Sequence, residues 1–260
     1  MQKGDLQMEY QFTVKEDGRA VFVINRAHKK NAINYEVMKG LKDAITACKE
    51  NDDVKVLLIT GAGQDAFCSG GDVQLFHALK TEEEAYSMLY PMGGILYELM
   101  TLPKPTIAVI NGIALGGGCE LASACDIRIA VDSAKIGFIQ GRLGITTGWG
   151  GTTILQEKLS PQSALHMLYS ASTFSAEEGK EYGFIQRVVS ASALEESMKQ
   201  LLEPLLQKSA SVLRQYKTLY TKRWEANGLF ARMQEEIQGC AVLWAGEEHH
   251  QAVESFLQRK

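Results

Sequence analysis

Two short stretches of the sequence carry consecutive glycines that are followed closely by a carboxylate. One is the glycine run 116–118 with Glu120 two residues later, and the other is the pair 70–71 followed directly by Asp72. Because glycine costs roughly 1 kcal/mol relative to alanine inside a helix, a run of glycines at a helix entrance indicates a task for the backbone itself. The first N–H groups of a helix have no partner within the helix, and glycine lets a ligand approach them closely. Two such groups that converge on one oxygen would form an oxyanion hole beside Glu120.

The same glycines also have a purely structural interpretation. They allow two helices to pack closely, and an acid such as Glu120 in a first helical turn is favoured by the positive end of the helix dipole. The residue types by themselves leave the catalytic and the structural interpretation open.

Other patterns of catalysis and ligand binding are incomplete. Residues 61–66 read G-x-G-x-x-A after a predicted strand, but the following residues 67–71 form another turn where a dinucleotide site needs a helix. The sequence has no P-loop and no G-x-S-x-G elbow. Its five histidines and five cysteines show no metal-ligand spacing and no disulfide framework, so we expect no metal site.

Composition and charge exclude several classes of protein. A formal charge of −4 without a long basic run gives no electrostatic footprint for nucleic acid. The local exception is the basic stretch 26–30, which either meets a phosphate or forms a solvated loop. The N-terminus lacks the apolar segment of a signal peptide, and polar residues interrupt the apolar region 105–131, so we expect a cytoplasmic protein without a membrane span.

Strands alternate with helices along the first three quarters of the chain, which is typical of an α/β fold. Alternating or continuous apolar runs predict strands over 8–14, 20–25, 54–60, 106–110 and 127–131. Apolar residues at steps of three and four predict a helix over 35–49. Stretches 57–76 and 106–124 form a weak repeat, each with a strand, an irregular turn, paired glycines, an acid and a helix. The repeat could bring the two glycine-rich entrances into one fold.

The last quarter of the chain is helical in pattern. Apolar residues recur at helical spacing in two stripes, which are Leu194, Met198, Leu201 and Leu205, and Phe230, Met233, Ile237, Cys240 and Trp244. We therefore predict a core region over 1–192 and a helical C-terminal region over 193–260. Cys48 and Cys240 fall on apolar stripes and are expected in the core.

Four segments, in order, resemble the crotonase (enoyl-CoA hydratase/isomerase) superfamily. They are NRAHKKNAIN at 25–34, AFCSGGDV at 66–73, NGIALGGGCELASACDIRIA at 111–130 and AKIGFIQGRLGITTGWGGT at 134–152. The resemblance implies a spiral of ββα units, a helical C-terminal trimerisation region, and a homotrimer or a dimer of trimers. It also implies an acyl-CoA substrate, so that coenzyme A enters with the substrate and no separate cofactor is needed.

The resemblance also assigns roles to single residues. The backbone N–H groups of Gly71 and Gly117 would hold the thioester oxygen, and Glu120 would be the first of two catalytic glutamates. Contacts with coenzyme A would come from Lys29, Lys30, Ser69, Gly70, Asp72, Val73, Gly116 and Lys217. Residues 74–100 would wall the acyl pocket, and Trp149 would either close its floor or lie in the core.

The position that matches the second catalytic glutamate is Gln140. An amide forms hydrogen bonds but does not exchange a proton as a carboxylate does. Decarboxylation of a malonyl-type thioester suits this pair, because it needs an oxyanion hole and no second carboxylate to repel the carboxylate of the substrate. The segments SGGDV, SAKIGFIQGRLGI, WGGTT and VLWAG are similar to the ethylmalonyl-CoA decarboxylase branch. Hydration or isomerisation through Glu120 alone, and non-catalytic binding of acyl-CoA, are the alternatives.

Overall fold

The computed structural model describes residues 8–258. Ten β-strands lie within that range: β1 Tyr10–Val14, β2 Arg19–Ile24, β3 Val56–Gly61, β4 Ala66–Cys68, β5 Thr106–Ile110, β6 Ile113–Leu115, β7 Ile127–Val131, β8 Lys135–Gly137, β9 Phe174–Ser175 and β10 Arg187–Val189. The α-helices of the same range are α1 Tyr35–Glu50, α2 Val73–Phe76, α3 Glu82–Thr101, α4 Gly117–Ala124, α5 Gly151–Gln156, α6 Pro161–Ser170, α7 Ala176–Glu181, α8 Leu194–Leu206, α9 Ala210–Ala226, α10 Leu229–Trp244 and α11 Glu247–Gln258. Short 3-10 turns occur at Ala27–Lys29, Gln140–Leu143 and Ala191–Ala193.

The larger sheet has the strand order β1-β2-β3-β5-β7-β10. The hairpin β1–β2 is antiparallel, and each later pairing is parallel. The central strand β3 is buried along almost its whole length, as expected for a parallel strand that is covered on both faces. The strand predictions at 20–25, 54–60, 106–110 and 127–131 are therefore confirmed to within two residues at their ends.

The smaller sheet, β4-β6-β8-β9, explains the internal repeat. The first strand of each unit enters the larger sheet and the second enters the smaller one, as β3 and β4, β5 and β6, and β7 and β8 do. The segments predicted as irregular turns in the repeat therefore contain the short strands β4 and β6, which pair in parallel. This succession of ββα units confirms the predicted α/β spiral.

The helical C-terminal quarter begins at Leu194, as its apolar spacing predicts. Helix α10 packs against α3 and α5. Its residues Met233, Ile237 and Cys240 join the same core cluster as Cys48 of α1, so both cysteines lie in the core as expected. The division of the chain into two domains at 192 and 193 stays a prediction.

None of the helices between residues 8 and 258 is long and apolar enough to cross a membrane.

A buried ion pair joins the loop after β2 to the loop after β4. The Arg26 guanidinium donates to the Asp72 carboxylate at 2.8 Å and to the backbone oxygen of Ala32, and both charged side chains are less than one tenth exposed. The basic stretch 26–30 is therefore not uniformly solvated, since its first cation serves this internal contact. The pair fixes the position of the glycines 70–71 relative to β2.

We expect Asp72→Asn to lower the free energy of unfolding by about 3 kcal/mol, because it leaves the buried Arg26 charge without its main partner. Urea unfolding at constant protein concentration measures this loss. The matched control is Asp43→Asn, which breaks an exposed pair with Lys39 and should leave the stability nearly unchanged. Equal effects of the two substitutions would contradict a structural role for the Arg26–Asp72 pair.

Candidate active site

The two glycine-rich turns meet at the start of α4. Gly70 has a φ of +101°, and a methyl group added to it would lie 3.1 Å from the backbone nitrogen of Gly117. Gly116 precedes α4 with a φ of +53°. Both backbone conformations favour glycine, because a side chain would be strained there. The end of β4 and the entrance of α4 are thereby brought into contact.

The N–H groups of Gly71 and Gly117 are both available to a ligand. Neither donates a hydrogen bond to an acceptor within residues 8–258. Gly117 is the first residue of α4, where the N–H groups have no partner within the helix and carry the positive end of its dipole. The arrangement provides two backbone donors beside one cavity, as an oxyanion hole requires.

Trp149 lies against both donor glycines. A methyl group on Gly117 would meet the indole ring at 2.1 Å, and one on Gly71 would meet it at 3.5 Å. The ring is 4 % exposed and also lines the cavity. The two interpretations of Trp149 as a pocket wall and as a core residue therefore describe the same position.

Glu120 lies in the first turn of α4 with its carboxylate almost fully buried. The backbone N–H groups of Trp149 and Gly151 both donate to its Oε2 at 2.9 Å. The amide Nε2 of Gln140 donates to its Oε1 at 2.7 Å. The two positions that the resemblance pairs as catalytic residues are thus in direct contact.

Burial raises the pKa of Glu120 to about 8, and the nearby charge of Glu236 contributes to this rise. The hydrogen bonds from Trp149, Gly151 and Gln140 lower the pKa and so oppose the rise. The group therefore holds its proton over much of the neutral range. Gln140 is buried, with 9 % of its surface exposed. Its Oε1 has no partner within the described part of the chain.

These groups open onto a cavity of about 680 Å³. Its wall includes the predicted site residues Ser69, Gly70, Gly71, Val73, Gly116, Gly117, Glu120 and Gln140. Residues Phe76, His77, Met88 and Leu89 represent the segment 74–100, which was expected to wall the acyl pocket. Most of the remaining wall is apolar and comes from the 3-10 turn 140–143 and from α10 and α11.

The remaining predicted coenzyme A contacts lie outside this wall. Lys29 bonds to the side chain of Gln74, and Lys30 is exposed beside it. Asp72 is held by Arg26 behind the glycines. Lys217 is buried and forms an ion pair with Asp126. Their contacts with coenzyme A stay predictions.

Two basic side chains, the buried Arg128 and the half-buried Lys158, lie at the far end of α4. Arg128 and Lys158 both donate to the backbone oxygen of Cys125, at 2.8 Å and 2.6 Å. Burial, with the nearby Arg128 charge, lowers the pKa of Lys158 to about 7. Cations at the C-terminal end complement the dipole of the helix whose N-terminal end carries the Gly117 donor.

Two residues at the site carry no assignment from the sequence. His249 of α11 lines the cavity and contacts the Leu143 carbonyl through Nδ1 at 2.7 Å. Glu236 of α10 lies behind the loop that binds Glu120. The available signal for Glu236 was its place on the apolar stripe, three residues after Met233 and four before Cys240. No group of acids, histidines and cysteines between residues 8 and 258 is arranged to hold a metal ion.

Comparison with known proteins gives one consistent family. The family model described as "Enoyl-CoA hydratase/isomerase" matches residues 15–260. The "Crotonyl-CoA hydratase" of Syntrophomonas wolfei is 33% identical over 247 residues, which is 95% of this chain and 94% of the relative. The mitochondrial "Methylglutaconyl-CoA hydratase" of Homo sapiens is 35% identical over 178 residues, which is 68% of this chain and 52% of the relative.

Solved structures agree with the fold. The enoyl-CoA hydratase from Bacillus halodurans has a TM-score of 0.87 at 23% identity, covering 95% of this chain and 99% of that chain. The enoyl-CoA hydratase from Bacillus anthracis has a TM-score of 0.79 at 28% identity, covering 97% of each chain.

We expect Gly117→Ala to displace the Trp149 ring, because the added carbon would overlap it. The substitution should cost about 1–3 kcal/mol of folding stability through overpacking and should change the fluorescence spectrum of Trp149, measured as a difference from a Trp149→Phe variant. Gly94→Ala in α3 is the matched control, because nothing lies within 4 Å of its added methyl. An unchanged spectrum and stability in Gly117→Ala would show that the glycine and the ring are not in contact.

Proposed function

The chain belongs to the enoyl-CoA hydratase/isomerase family and acts on coenzyme A thioesters, and we propose that it stabilises a thioester enolate with the N–H groups of Gly71 and Gly117. The support is that neither N–H group has an acceptor within residues 8–258 and that both glycines line one cavity. Charge develops on the thioester oxygen as the enolate forms, and fixed donors stabilise that charge without reorganisation. The reaction needs no metal and no separate cofactor.

The specific reaction that we propose is decarboxylation of a short malonyl-type acyl-CoA. The bond between Cα and the substrate carboxylate breaks, CO₂ leaves, and the electron pair forms the enolate. Glu120 then gives its proton to Cα, which yields the saturated acyl-CoA, and recovers a proton from solvent. Gln140 in place of a second carboxylate is the observation that carries this proposal, because a neutral amide does not repel the substrate.

The proton on Glu120 supports the same reaction. With a pKa of about 8, the group is a neutral acid at pH 7, so it can donate to an enolate and adds no charge to repel a carboxylate. Rotation of the Gln140 amide by 180° would let its unpartnered Oε1 accept from a protonated Glu120. Amide orientation is set by the hydrogen-bond network, so Gln140 can accompany either charge state of Glu120.

The walls of the cavity are apolar over a large part of their surface. Phe76, Met88, Leu89, Ile139 and Ile145 present apolar side chains to it. A carboxylate is poorly solvated against such a surface, whereas CO₂ is not penalised there. The apolar part of the wall therefore disfavours the carboxylate of the reactant, whereas Arg142, which lines the same cavity, offers it a charged partner.

Hydration of an enoyl-CoA is the second candidate, and the names of the relatives favour it. In that reaction an ionised Glu120 would take a proton from water while the free Oε1 of Gln140 accepts the second hydrogen of the same water. Isomerisation would use Glu120 alone to move a proton. A non-catalytic acyl-CoA-binding protein would need neither the buried acid nor its proton.

We further propose a homotrimer or a dimer of trimers, with α9 at the contact between copies. Four residues at spacings of three and four leave large apolar surfaces exposed along that helix, and they are Val212, Tyr216, Leu219 and Tyr220. An apolar stripe on one helix is typical of a surface that another chain covers. Lys217 occupies the opposite, buried side of α9.

The substrate test compares ethylmalonyl-CoA and methylmalonyl-CoA with crotonyl-CoA in separate incubations. We expect the malonyl-type thioesters to yield CO₂ and the saturated acyl-CoA, which chromatography of the acyl-CoA products measures. The decarboxylation rate should fall by roughly 10²–10⁴-fold in Glu120→Gln. Fast hydration of crotonyl-CoA without CO₂ release would replace decarboxylation by hydration. Binding without turnover of any of these thioesters would leave the non-catalytic alternative.

The pH profile separates the two reactions by sign. Decarboxylation needs protonated Glu120, so its kcat/KM should fall as the pH rises through about 8. Hydration needs the ionised form, so its kcat/KM should rise there.

Gln140→Glu should weaken decarboxylation by placing a negative charge beside the substrate, and it should strengthen hydration. If it changes neither activity, then residue 140 does not act on the substrate.

Light scattering during gel filtration tests the proposed trimer. We expect Tyr216→Glu and Tyr220→Glu to reduce the molecular mass to that of one chain, because a charge on each side of the contact is costly to bury. Tyr169→Glu on α6 is the control, because Tyr169 is exposed but lies outside the α9 stripe. A wild-type protein that elutes as a monomer would contradict the proposal.

A further inference from the structure

We propose that Glu236 is a positioning residue for Glu120: it holds the loop 147–153 in the shape that binds Glu120, and its negative charge keeps the proton on Glu120. The second half of this inference rests on the proposed role of Glu120 as a proton donor. Glu236 comes from α10, 116 positions along the chain from Glu120.

Two carboxylates share the hydrogen-bond donors of one loop. In the segment T-G-W-G-G-T-T, the N–H groups of Trp149 and Gly151 donate to Glu120. The N–H groups of Thr152 and Thr153 donate to Glu236 at 3.0 Å and 2.7 Å. The two side chains therefore hold neighbouring parts of the same backbone from different helices, and removal of one loosens the donors of the other.

The contacts of Glu236 suit an ionised carboxylate. It accepts from two backbone N–H groups and from the Thr147 hydroxyl. Burial raises the pKa of Glu236, while the donors from Thr147, Thr152 and Thr153 oppose that rise. Both carboxylates accept backbone N–H groups of this loop, and two negative charges held so close repel, so a charge on Glu236 raises the proton affinity of Glu120.

The thiols around Glu120 bring no competing negative charge. Cys119 of its own helix and Cys240 of α10 are buried thiols, and burial raises the pKa of Cys240 to about 12. Burial likewise raises the pKa of the Cys68 thiol in β4 to about 12. The part of α3 over 85–97 has no acid, lysine, arginine or histidine. The loop and α5 present N–H groups, and the 3-10 turn presents the neutral Gln140 together with Arg142, which lines the cavity as His249 of α11 does.

Glu236 lies outside the wall of the cavity. A carboxylate at position 140 would meet the substrate directly and repel a malonyl-type carboxylate. A carboxylate behind the loop instead acts on Glu120 through the loop, with the donors of Thr152 and Thr153 between it and the cavity. The chain thus combines a neutral residue beside the substrate with a charge that keeps its acid protonated.

The test replaces Glu236 by Gln and uses Glu235→Gln as the matched control. Glu235 is adjacent on α10, is exposed and carries the same charge. The equilibrium readout is urea unfolding between pH 5 and 9, at constant protein concentration, in the wild type, Glu120→Gln, Glu236→Gln and the double variant. The kinetic readout is the pH at which kcat/KM falls to half its maximum.

The sign follows from the raised pKa of Glu120. The pKa of Glu120 is 4.5 in the unfolded chain and about 8 in the fold. Its contribution to stability is therefore fully present below about pH 4.5 and is lost as the pH rises through about 8. We expect the pH-dependent loss of stability to be smaller in Glu236→Gln than in the wild type, and Glu236→Gln to have no such effect when Glu120 is already replaced by Gln. The pH at which kcat/KM falls to half its maximum should decrease by about one unit, which is a common size for an environmental shift.

The outcomes separate the two proposals. If Glu236→Gln behaves like Glu235→Gln in both readouts, then Glu236 does not control the proton of Glu120. If the unfolding data shift but no thioester is decarboxylated, then the proposed reaction fails while the role of Glu236 stands. If Glu236→Gln does not fold, then Glu236→Asp tests the inference, because it keeps the charge but has a shorter side chain. In that variant kcat should fall, and the kinetic midpoint should shift by less than the roughly one pH unit expected for Glu236→Gln. An unchanged kcat and midpoint in Glu236→Asp would overturn the inference.

Discussion

The buried loop 147–153 depends on two carboxylates, and the active site depends on that loop. Backbone N–H groups that leave water must find acceptors, and here the acceptors are Glu120 and Glu236. Both carboxyl groups in turn need the N–H groups, because burial of a polar or charged group without hydrogen bonds is costly. The loop, Glu120 and Glu236 of helix α10 are therefore joined in one hydrogen-bonded unit.

The proposed oxyanion hole is connected to the same unit through Trp149. The backbone of this residue binds Glu120, and its ring packs against the donor glycines Gly71 and Gly117. Helix α4 links the two functions, since it begins at the Gly117 donor and carries Glu120 in its first turn. The cations Arg128 and Lys158 at its other end complement its dipole. The donors and the acid are thus held in fixed relation by one short helix and one loop.

At the enolate-stabilising site that we propose, the protons and charges around the substrate decide which reaction follows. A carboxylate beside the substrate would serve the activation of water, whereas Gln140 leaves that position neutral. The chain has a second carboxylate near Glu120 nonetheless, but it lies behind the loop rather than in the cavity wall. Our proposals for the reaction and for Glu236 both follow from this separation of charge from substrate.

The sequence by itself determined the central strands, the helix 35–49, the helical C-terminal quarter and the family. These features depend on local spacing and on contiguous motifs, which can be identified along the chain. The short strands β4 and β6 escaped prediction, because three-residue strands have too few positions to show alternation. The resemblance also brought Gly71, Gly117, Glu120 and Gln140 together as a group.

Only the tertiary structure decided the environment of those residues. The ion pair of Asp72 with Arg26, the burial of Lys217 against Asp126 and the contact of Glu236 with the loop each join residues far apart in the chain, with separations of 46, 91 and 84 positions. The proton affinity of Glu120 likewise depends on burial and on a charge from another helix. Spacing along a chain carries no information on such contacts, because they arise only when distant elements pack together and exclude water.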